Sequence, residues 1–359
     1  MANYMGMKFN QASDAYGTDA LSGNTLPDFF AQTNSHEAGL NIEEPDVTAM
    51  DTDLPRGGYP EPEGKINTSA HTKALPTYFY SLLGNYRFTE DGATLTIDGE
   101  SVTQNVHEFW MGENSELPQW SGLFTYGDFM QKKISGAVTD TMDWNATLDK
   151  TELELGFKYR NELSKQVNIE TARQDYEIIS GLPLIGYDYR STLTIVEDNT
   201  ITSNCFREAK ISVNNNLITG EDIRCLGQRK YSIQPSSENK EIDIELTTKF
   251  DRRNYELITA AAYGNTNVAN GYHGLEDCKN FTGRFTLYAS ACTEGAERVS
   301  MAFPRNIITV DTISADGNNL EATLNLKPVN TGKVTLLDGT TQINTPMYVK
   351  IISSADVVE

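Results

Sequence analysis

The chain has 359 residues, of which 38% are apolar, so it is long and apolar enough to bury a sizeable core. Its 50 acidic residues against 29 Lys and Arg give a formal net charge of −21. That balance argues against tight nucleic-acid binding, because phosphate contacts need clustered cations. No apolar run approaches the ~20 residues of a membrane-spanning helix, and the first residues lack the basic and apolar regions of a signal peptide. We therefore predict a soluble protein that stays where it is made.

The first segment, residues 1–35, is polar and is interrupted by Gly, Asn and Asp without a clear period. Such a composition is typical of an extended N-terminal arm or a partly disordered tail. We expect folded structure to begin near His36.

From His36 onward the dominant pattern is alternation of apolar and polar residues, which predicts strands with one buried face. The clearest case is residues 241–250, and similar alternation occurs at 152–159 and 320–327. Its predicted core face carries Ile242, Ile244, Leu246 and Phe250. Its opposite face carries Glu241, Asp243 and Glu245. Further strands are expected at 191–196, 284–290 and 346–352, so the fold class is mainly β.

Two short helices interrupt these strands. The first is predicted from Pro76, suited to a first helical turn, to Gly84, a common C-terminal stop. The second is predicted from Asp251, a plausible N-cap, to Gly264.

An internal repeat is suggested because both helices end in Gly-Asn, in "SLLGN" (81–85) and "AAYGN" (261–265). Before the helices, "EAGLNIEEPDV" from Glu37 parallels "EAKISVNNNLI" from Glu208. After them, Asp140-Thr141-Met142 parallels Asp311-Thr312-Ile313. We predict two β domains, 36–180 and 181–359, joined near "SGLPLIGYDY". A single large sandwich of similar amphipathic strands is the alternative.

Motifs for catalysis or metal binding are not found in the sequence. Four cysteines, at 205, 225, 278 and 292, have no metal or redox spacing. We expect reduced, mostly buried thiols, and a Cys205 to Cys225 bridge stays open. The four histidines are scattered, and no nucleophile elbow or phosphate loop occurs. We therefore predict no metal, no cofactor and no enzymatic activity. Trp110, Trp120 and Trp144 could line a sugar site, although core packing is the commoner use.

A family resemblance follows from the order of the motifs. Asn-Asn-Asn-Leu, "LGQRKY", the alternating strand "EIDIELTTKF" and a short helix resemble the repeating unit of major tail tube proteins of long-tailed bacteriophages and related viruses. The first half adds "LPRGGYPEPEG", a helix closing at "LLGN", and "YGDFMQKKISGAVTDTMDWNATLDKTELELGFKYR". The resemblance covers roughly residues 37–330, and its motifs are loose patterns without invariant catalytic residues.

The resemblance implies two tandem tail-tube-type units, each a β-sandwich or barrel unit with a short flanking helix. Strands from each copy would join into an inner barrel, and the rings would stack. Two units per chain imply a ring of three copies with pseudo-sixfold symmetry, whereas one unit implies a hexamer. The implied partners are the chain itself and the tail-tip, terminator and tape-measure proteins, with no membrane. The implied location is the virion tail, assembled in the host cytoplasm.

The resemblance also gives the strand at 241–250 an orientation. Ile242 and Ile244 would face the core, and Glu241, Asp243 and Glu245 would face the lumen, where carboxylates repel DNA phosphates. Viral DNA would then pass without specific binding. A merely solubilising surface is the alternative use of these acids. For the whole chain, the alternatives are a secreted β-sandwich adhesin or carbohydrate-binding module, and then a β-sandwich hydrolase.

Overall fold

The computed structural model confirms a mainly β, sandwich-like chain with two short α-helices in the part that it describes. The described residues are 3–11, 14–22, 27, 29–42, 60–90, 95–97, 100–102, 104–112, 116–126, 130–166, 178–179, 183–196, 200–219, 223, 231–249, 254–263, 281–290, 297–316 and 319–355. Among them, neither helix has the length and apolarity to cross a membrane.

The elements are numbered in chain order. Strands β1 to β12 span Asn3–Phe9, Phe29–Thr33, Ser35–Ile42, Pro60–Ser69, Gly84–Thr89, Leu95–Ile97, Glu100–Val102, Asn105–Met111, Trp120–Tyr126, Met130–Ala146, Thr151–Lys158 and Asn161–Gln166. Strands β13 to β23 span Ile178–Ile179, Tyr189–Ile195, Thr202–Ser203, Phe206–Asn214, Glu241–Lys249, Phe281–Ser290, Arg298–Asp316, Asn319–Pro328, Lys333–Thr335, Gln342–Asn344 and Tyr348–Ser353. Helices α1 and α2 span Leu75–Leu83 and Tyr255–Tyr263.

Helix α1 forms where the sequence predicts it. Pro76 lies in its first turn, where a missing N–H is tolerated. Gly84 closes it with a φ of 74°, a left-handed conformation, and its backbone N–H donates to the carbonyl of Tyr80. Helix α2 also lies where a helix is predicted, but its predicted terminal residues, Asp251 and Gly264, are outside the described residues.

The central element is an eight-strand antiparallel sheet in the order β3, β4, β11, β10, β16, β17, β20, β19. No pairing between β3 and β19 joins its two ends in the described part of the chain. Within these residues the sheet therefore ends in two open edges. Because strand side chains alternate, it has one core face and one polar face.

A second layer covers the core face. The first half of β10 pairs with β9 and β12, and β9 pairs with β1. The first half of β19 pairs with β18 and β23, and β23 pairs with β8. Phe79 of α1 packs between the layers, with its ring centroid 6.3 Å from that of Trp144. The long strands β10 and β19 therefore bend from one layer into the other.

The N-terminal residues correct one prediction. Asn3–Phe9 and Phe29–Thr33 are paired sheet strands, and Met5 and Met7 are buried in the core. The expectation that folded structure begins near His36 was wrong. The missed signal is the alternation of Met5, Met7 and Phe9 in "NYMGMKF", which the polar composition of the whole segment hides.

One cysteine lies in the described residues. Cys205 carries a free thiol, as expected for a reduced cysteine, and it is exposed. The Cys205 to Cys225 bridge that the sequence left open is therefore not formed by Cys205. The other three cysteines lie outside the described residues, so the expectation that most of the thiols are buried stays a prediction.

Candidate functional site: an acidic cleft on the polar sheet face

A cleft of about 780 Å³ runs across the polar face of the eight-strand sheet. Its lining residues come from β3, β4, β11, β10, β16 and β17, so it crosses the middle of the sheet. It is built by alternation, because every second side chain of these strands points away from the core.

The cleft is strongly acidic. Seven carboxylate side chains and two lysines line it, which gives a formal balance of 2 − 7 = −5. The carboxylates belong to Glu37, Glu63, Asp140, Asp143, Glu154, Glu241 and Asp243, and the lysines are Lys65 and Lys158. The residues of this set are called the acidic cleft below.

Two of the three predicted lumen acids belong to the acidic cleft. Glu241 and Asp243 line it and are exposed. Glu245 is half-buried one position further along the same face of β17 and lies 3.0 Å from the Lys210 ammonium. The structure thus places the three acids on one face of one strand.

The predicted core residues lie on the opposite face of β17. Ile242, Ile244 and Leu246 are 7%, 1% and 0% exposed, and they belong to the main hydrophobic core. Phe250, predicted with them, lies outside the described residues.

Lysines on the polar face sit beside carboxylates. Lys65 lies 2.8 Å from Glu154 and Lys158 lies 2.6 Å from Glu63. The hydrogen bond to Glu154 raises the pKa of Lys65, and the hydrogen bond to Glu245 raises the pKa of Lys210. Lys65 and Lys210 therefore stay protonated, and a neighbouring carboxylate matches the charge of each. Such exposed pairs contribute little to stability. Because the acidic cleft has five more carboxylates than lysines, its net charge remains negative.

Asp140 is a half-buried acid of the acidic cleft. Its Oδ1 accepts a hydrogen bond from the backbone N–H of Leu217 at 3.1 Å. Burial raises the pKa of Asp140, while this hydrogen bond works in the opposite direction. Sequence reasoning did not single out this residue as a site residue, although the repeated Asp-Thr-apolar triplet contains it.

Two groups of four strands in the sheet have matching registers. In β3, β4, β11 and β10, one row of paired residues runs through Glu37, Lys65, Gly156 and Thr141. In β16, β17, β20 and β19, one row runs through Glu208, Thr247, Thr323 and Thr312. The first residues of the two rows differ in residue number by 208 − 37 = 171, and the last residues differ by the same amount, 312 − 141 = 171.

The two groups meet at one internal junction, the antiparallel pair of β10 and β16. It runs from Thr141 opposite Asn214 to Ala146 opposite Ala209. Behind it, the buried Asn215 amide donates to the carbonyls of Leu82 and Thr139, at 3.0 and 3.2 Å. The junction is therefore tied to both β10 and the end of α1.

No cluster of three or more His, Cys, Asp or Glu side chains able to hold a metal ion occurs among the described residues. Of the tryptophans, Trp120 and Trp144 are buried in the core, at 0% and 1% exposure, and Trp110 is half-buried on β8.

The fold and the cleft define a mainly β, sandwich-like protein with an open, acidic sheet face. No protein-family model and no curated protein matches the chain significantly.

Proposed function

We propose that the chain is a structural virion protein that assembles into stacked rings and forms the hollow tail tube through which viral DNA passes. The observation that carries this proposal is the eight-strand sheet, with a core face, an acidic face and two edges that do not pair with each other in the described part of the chain. A wall of a tube needs these three properties in one surface.

The two sheet edges, which are open within the described residues, favour assembly. Long unpaired edges are a liability for a single sheet, and closure into a barrel removes them. The matching registers of the two four-strand groups support two tandem units per chain. Three copies would then give six similar units, a ring with pseudo-sixfold symmetry, whereas a single unit per chain would favour a hexamer. Closing roughly 24 strands at a typical tilt gives a barrel about 50 Å across between backbones, which is wide enough for a DNA duplex.

The charge of the polar face suits a conduit. With a balance of −5 in the acidic cleft, a lumen formed by this face would repel the phosphates of DNA. The genome would pass without specific binding, and no catalytic group or cofactor would be required. Tail-tip, terminator and tape-measure proteins would be the further partners, and the virion tail the location.

The carbohydrate-binding alternative gains little from the structure. Sugar sites present exposed aromatic faces, but Trp120 and Trp144 fill the core. Their burial removes two of the three tryptophans considered for a sugar site, and the third, Trp110, is half-buried on β8.

Electron microscopy of the purified protein across concentration and salt tests the proposal. We expect rings and hollow tubes, with three strong density lobes alternating with three weaker ones in averaged end views. Particles that remained monomeric in every condition, as measured by light scattering on the same samples, would contradict it.

A further inference from the structure

Among the described residues, the two edges of the eight-strand sheet have no strand neighbour like the one that the internal junction has. The segment Thr141–Ala146 of β10 pairs with both β11 and β16. Its counterpart in the second group, the end of β19 from Thr312, pairs only with β20 among the described residues. Likewise β16 pairs on both sides, whereas its counterpart β3 pairs only with β4 within the described chain.

Exposed apolar side chains lie at the β19 edge of the sheet. Ile313 and Leu320, on the hairpin of β19 and β20, are 48% and 43% exposed. Their counterparts in the first hairpin, Met142 and Leu153, are both 0% exposed. The equivalence follows from the registers. Met142 comes one residue after the row residue Thr141, and Ile313 comes one residue after the row residue Thr312. Leu153 and Leu320 each lie three residues before their row residues, which are Gly156 and Thr323. The second hairpin thus presents apolar surface that the junction buries in the first.

We infer that β19 of one copy pairs antiparallel with β3 of a second copy, in the register of the internal junction. This inference rests on the proposed ring and names its contact. In the junction, partner numbers add to 355, as in Met142 opposite Val213. Adding 171 to the residue numbers of β10 gives the equivalent residues of β19, and subtracting 171 from those of β16 gives the equivalent residues of β3. The partner numbers of the equivalent pair therefore also add to 355. The trans pairs are Ile313 with Ile42, Ser314 with Asn41, Ala315 with Leu40 and Asp316 with Gly39.

One trans pair can be tested through its internal counterpart. The counterparts of Ser314 and Asn41 are Asp143 and Ser212, and the Ser212 hydroxyl donates to Asp143 Oδ1 at 2.6 Å. Directly opposite residues of antiparallel strands have Cβ atoms about 4.5–5.5 Å apart. That spacing is close to what a disulfide needs, about 3.5–4.5 Å between Cβ atoms, so a small adjustment allows the bond to form.

The experiment is disulfide trapping in assembled protein carrying Asn41→Cys and Ser314→Cys. After mild oxidation, linked peptides are identified by mass spectrometry, so the four native cysteines can remain. We expect a 41–314 link and, on non-reducing gels, a ladder of species that stops at three copies.

Two matched variants calibrate the result. Asp143→Cys with Ser212→Cys should link within one chain whether or not rings form. Leu40→Cys with Ser314→Cys shifts the register by one residue and moves one thiol to the other sheet face, so it should stay unlinked. Circular dichroism confirms that each variant folds.

Rings without the 41–314 link, while the 143–212 link forms, would overturn the inference and leave the proposed tube intact. A dominant 40–314 link would overturn the register. If neither rings nor trans links formed, the proposed function would fail, and the inference with it. A ladder ending at six would support the strand pair and contradict the ring of three.

Discussion

Asp140 and Asp311 are the extra residues of two β-bulges at the same position in β10 and β19. The pairing skips Asp140 between Thr139 and Thr141, and it skips Asp311 between Val310 and Thr312. Asp140 is half-buried and accepts a hydrogen bond from Leu217, whereas Asp311 is exposed. The same residue type therefore has two environments, because within the described residues a strand pairs beside Asp140 in the first group and none pairs beside Asp311 in the second.

This pair gives a stability prediction. Asp140→Ala removes the acceptor of the Leu217 N–H, and we expect it to lower the free energy of unfolding by about 1–3 kcal/mol. Asp311→Ala is the matched control, and for an exposed residue we expect a change within about 0.5 kcal/mol. Urea unfolding followed by fluorescence measures both. Equal losses in the two variants would show that the Leu217 hydrogen bond is not what distinguishes them.

The two faces of β17 give a second prediction. Ile244→Asp places a charge in the core where Ile244 is 1% exposed, and we expect a loss above about 4 kcal/mol or failure to fold. Glu245→Gln removes a partly exposed ion pair with Lys210, which should cost less than about 1 kcal/mol. Thermal unfolding and electron microscopy measure stability and assembly. A stable, assembling Ile244→Asp variant would show that the strand is placed with the wrong face inward.

The buried carboxylate of Glu108 gives a third prediction, which concerns stability. Its Oε1 accepts hydrogen bonds from the Tyr348 hydroxyl at 2.6 Å and from the Leu337 backbone N–H at 3.0 Å. Glu108 is 0% exposed, so Tyr348→Phe leaves a buried carboxylate with one donor fewer, which should cost about 1.5–3 kcal/mol.

A double-mutant cycle separates that interaction from packing. Tyr348→Phe in a Glu108→Gln background should cost clearly less than in the wild type, because the charged acceptor is gone. Tyr288→Phe, at a half-buried position on β18, is the control for loss of a hydroxyl. Equal costs of Tyr348→Phe in both backgrounds would show that the charge of Glu108 does not matter.

His36 gives a pH prediction. Its ring packs against Phe124 and Tyr126, with centroids 5.1 and 4.7 Å away, and burial lowers the pKa of His36 to about 4. The unfolded chain binds the proton near pH 6.5 and the folded chain only near pH 4, so folding is opposed as the pH falls through this window. Stability should fall by at most about 3 kcal/mol between these values, and by less where solvent reaches the ring.

His36→Gln removes this titration, so the difference in unfolding free energy between wild type and variant should change between pH 7 and pH 4. Comparing the two proteins at each pH cancels the titration of the carboxylates. A difference that stays constant over this range would contradict the lowered pKa.

The acidic cleft gives a prediction about DNA. Tubes of a Glu241→Lys and Asp243→Lys variant should retain short DNA duplexes at low salt and release them as salt rises, whereas wild-type tubes should retain none. Glu116→Lys with Glu256→Lys makes the same charge change at exposed positions outside the cleft. Co-sedimentation of labelled DNA measures retention. Equal retention by both variants would show that net charge matters and the cleft does not.

The sequence predicted the local features of this fold well. Alternation identified β14, β17, β18 and β23, and turn chemistry placed α1 with Gly84 at its end. The buried Ile244 and the outward Glu245 of β17 also follow from period alone. These features depend on neighbouring residues, so a short window contains the needed information.

Pairing between distant segments decided which strands are neighbours and which residues form the acidic cleft. Strand β1 is part of the fold because Met5 pairs with Phe124, more than a hundred residues away, and no local pattern specifies that partner. The acidic cleft joins Glu37, Asp143 and Glu241 from three separate strands. The sequence by itself determined which face of a strongly alternating strand such as β17 is polar. Only the tertiary structure decided which strands are neighbours, because registers and edges are set by contacts between distant segments.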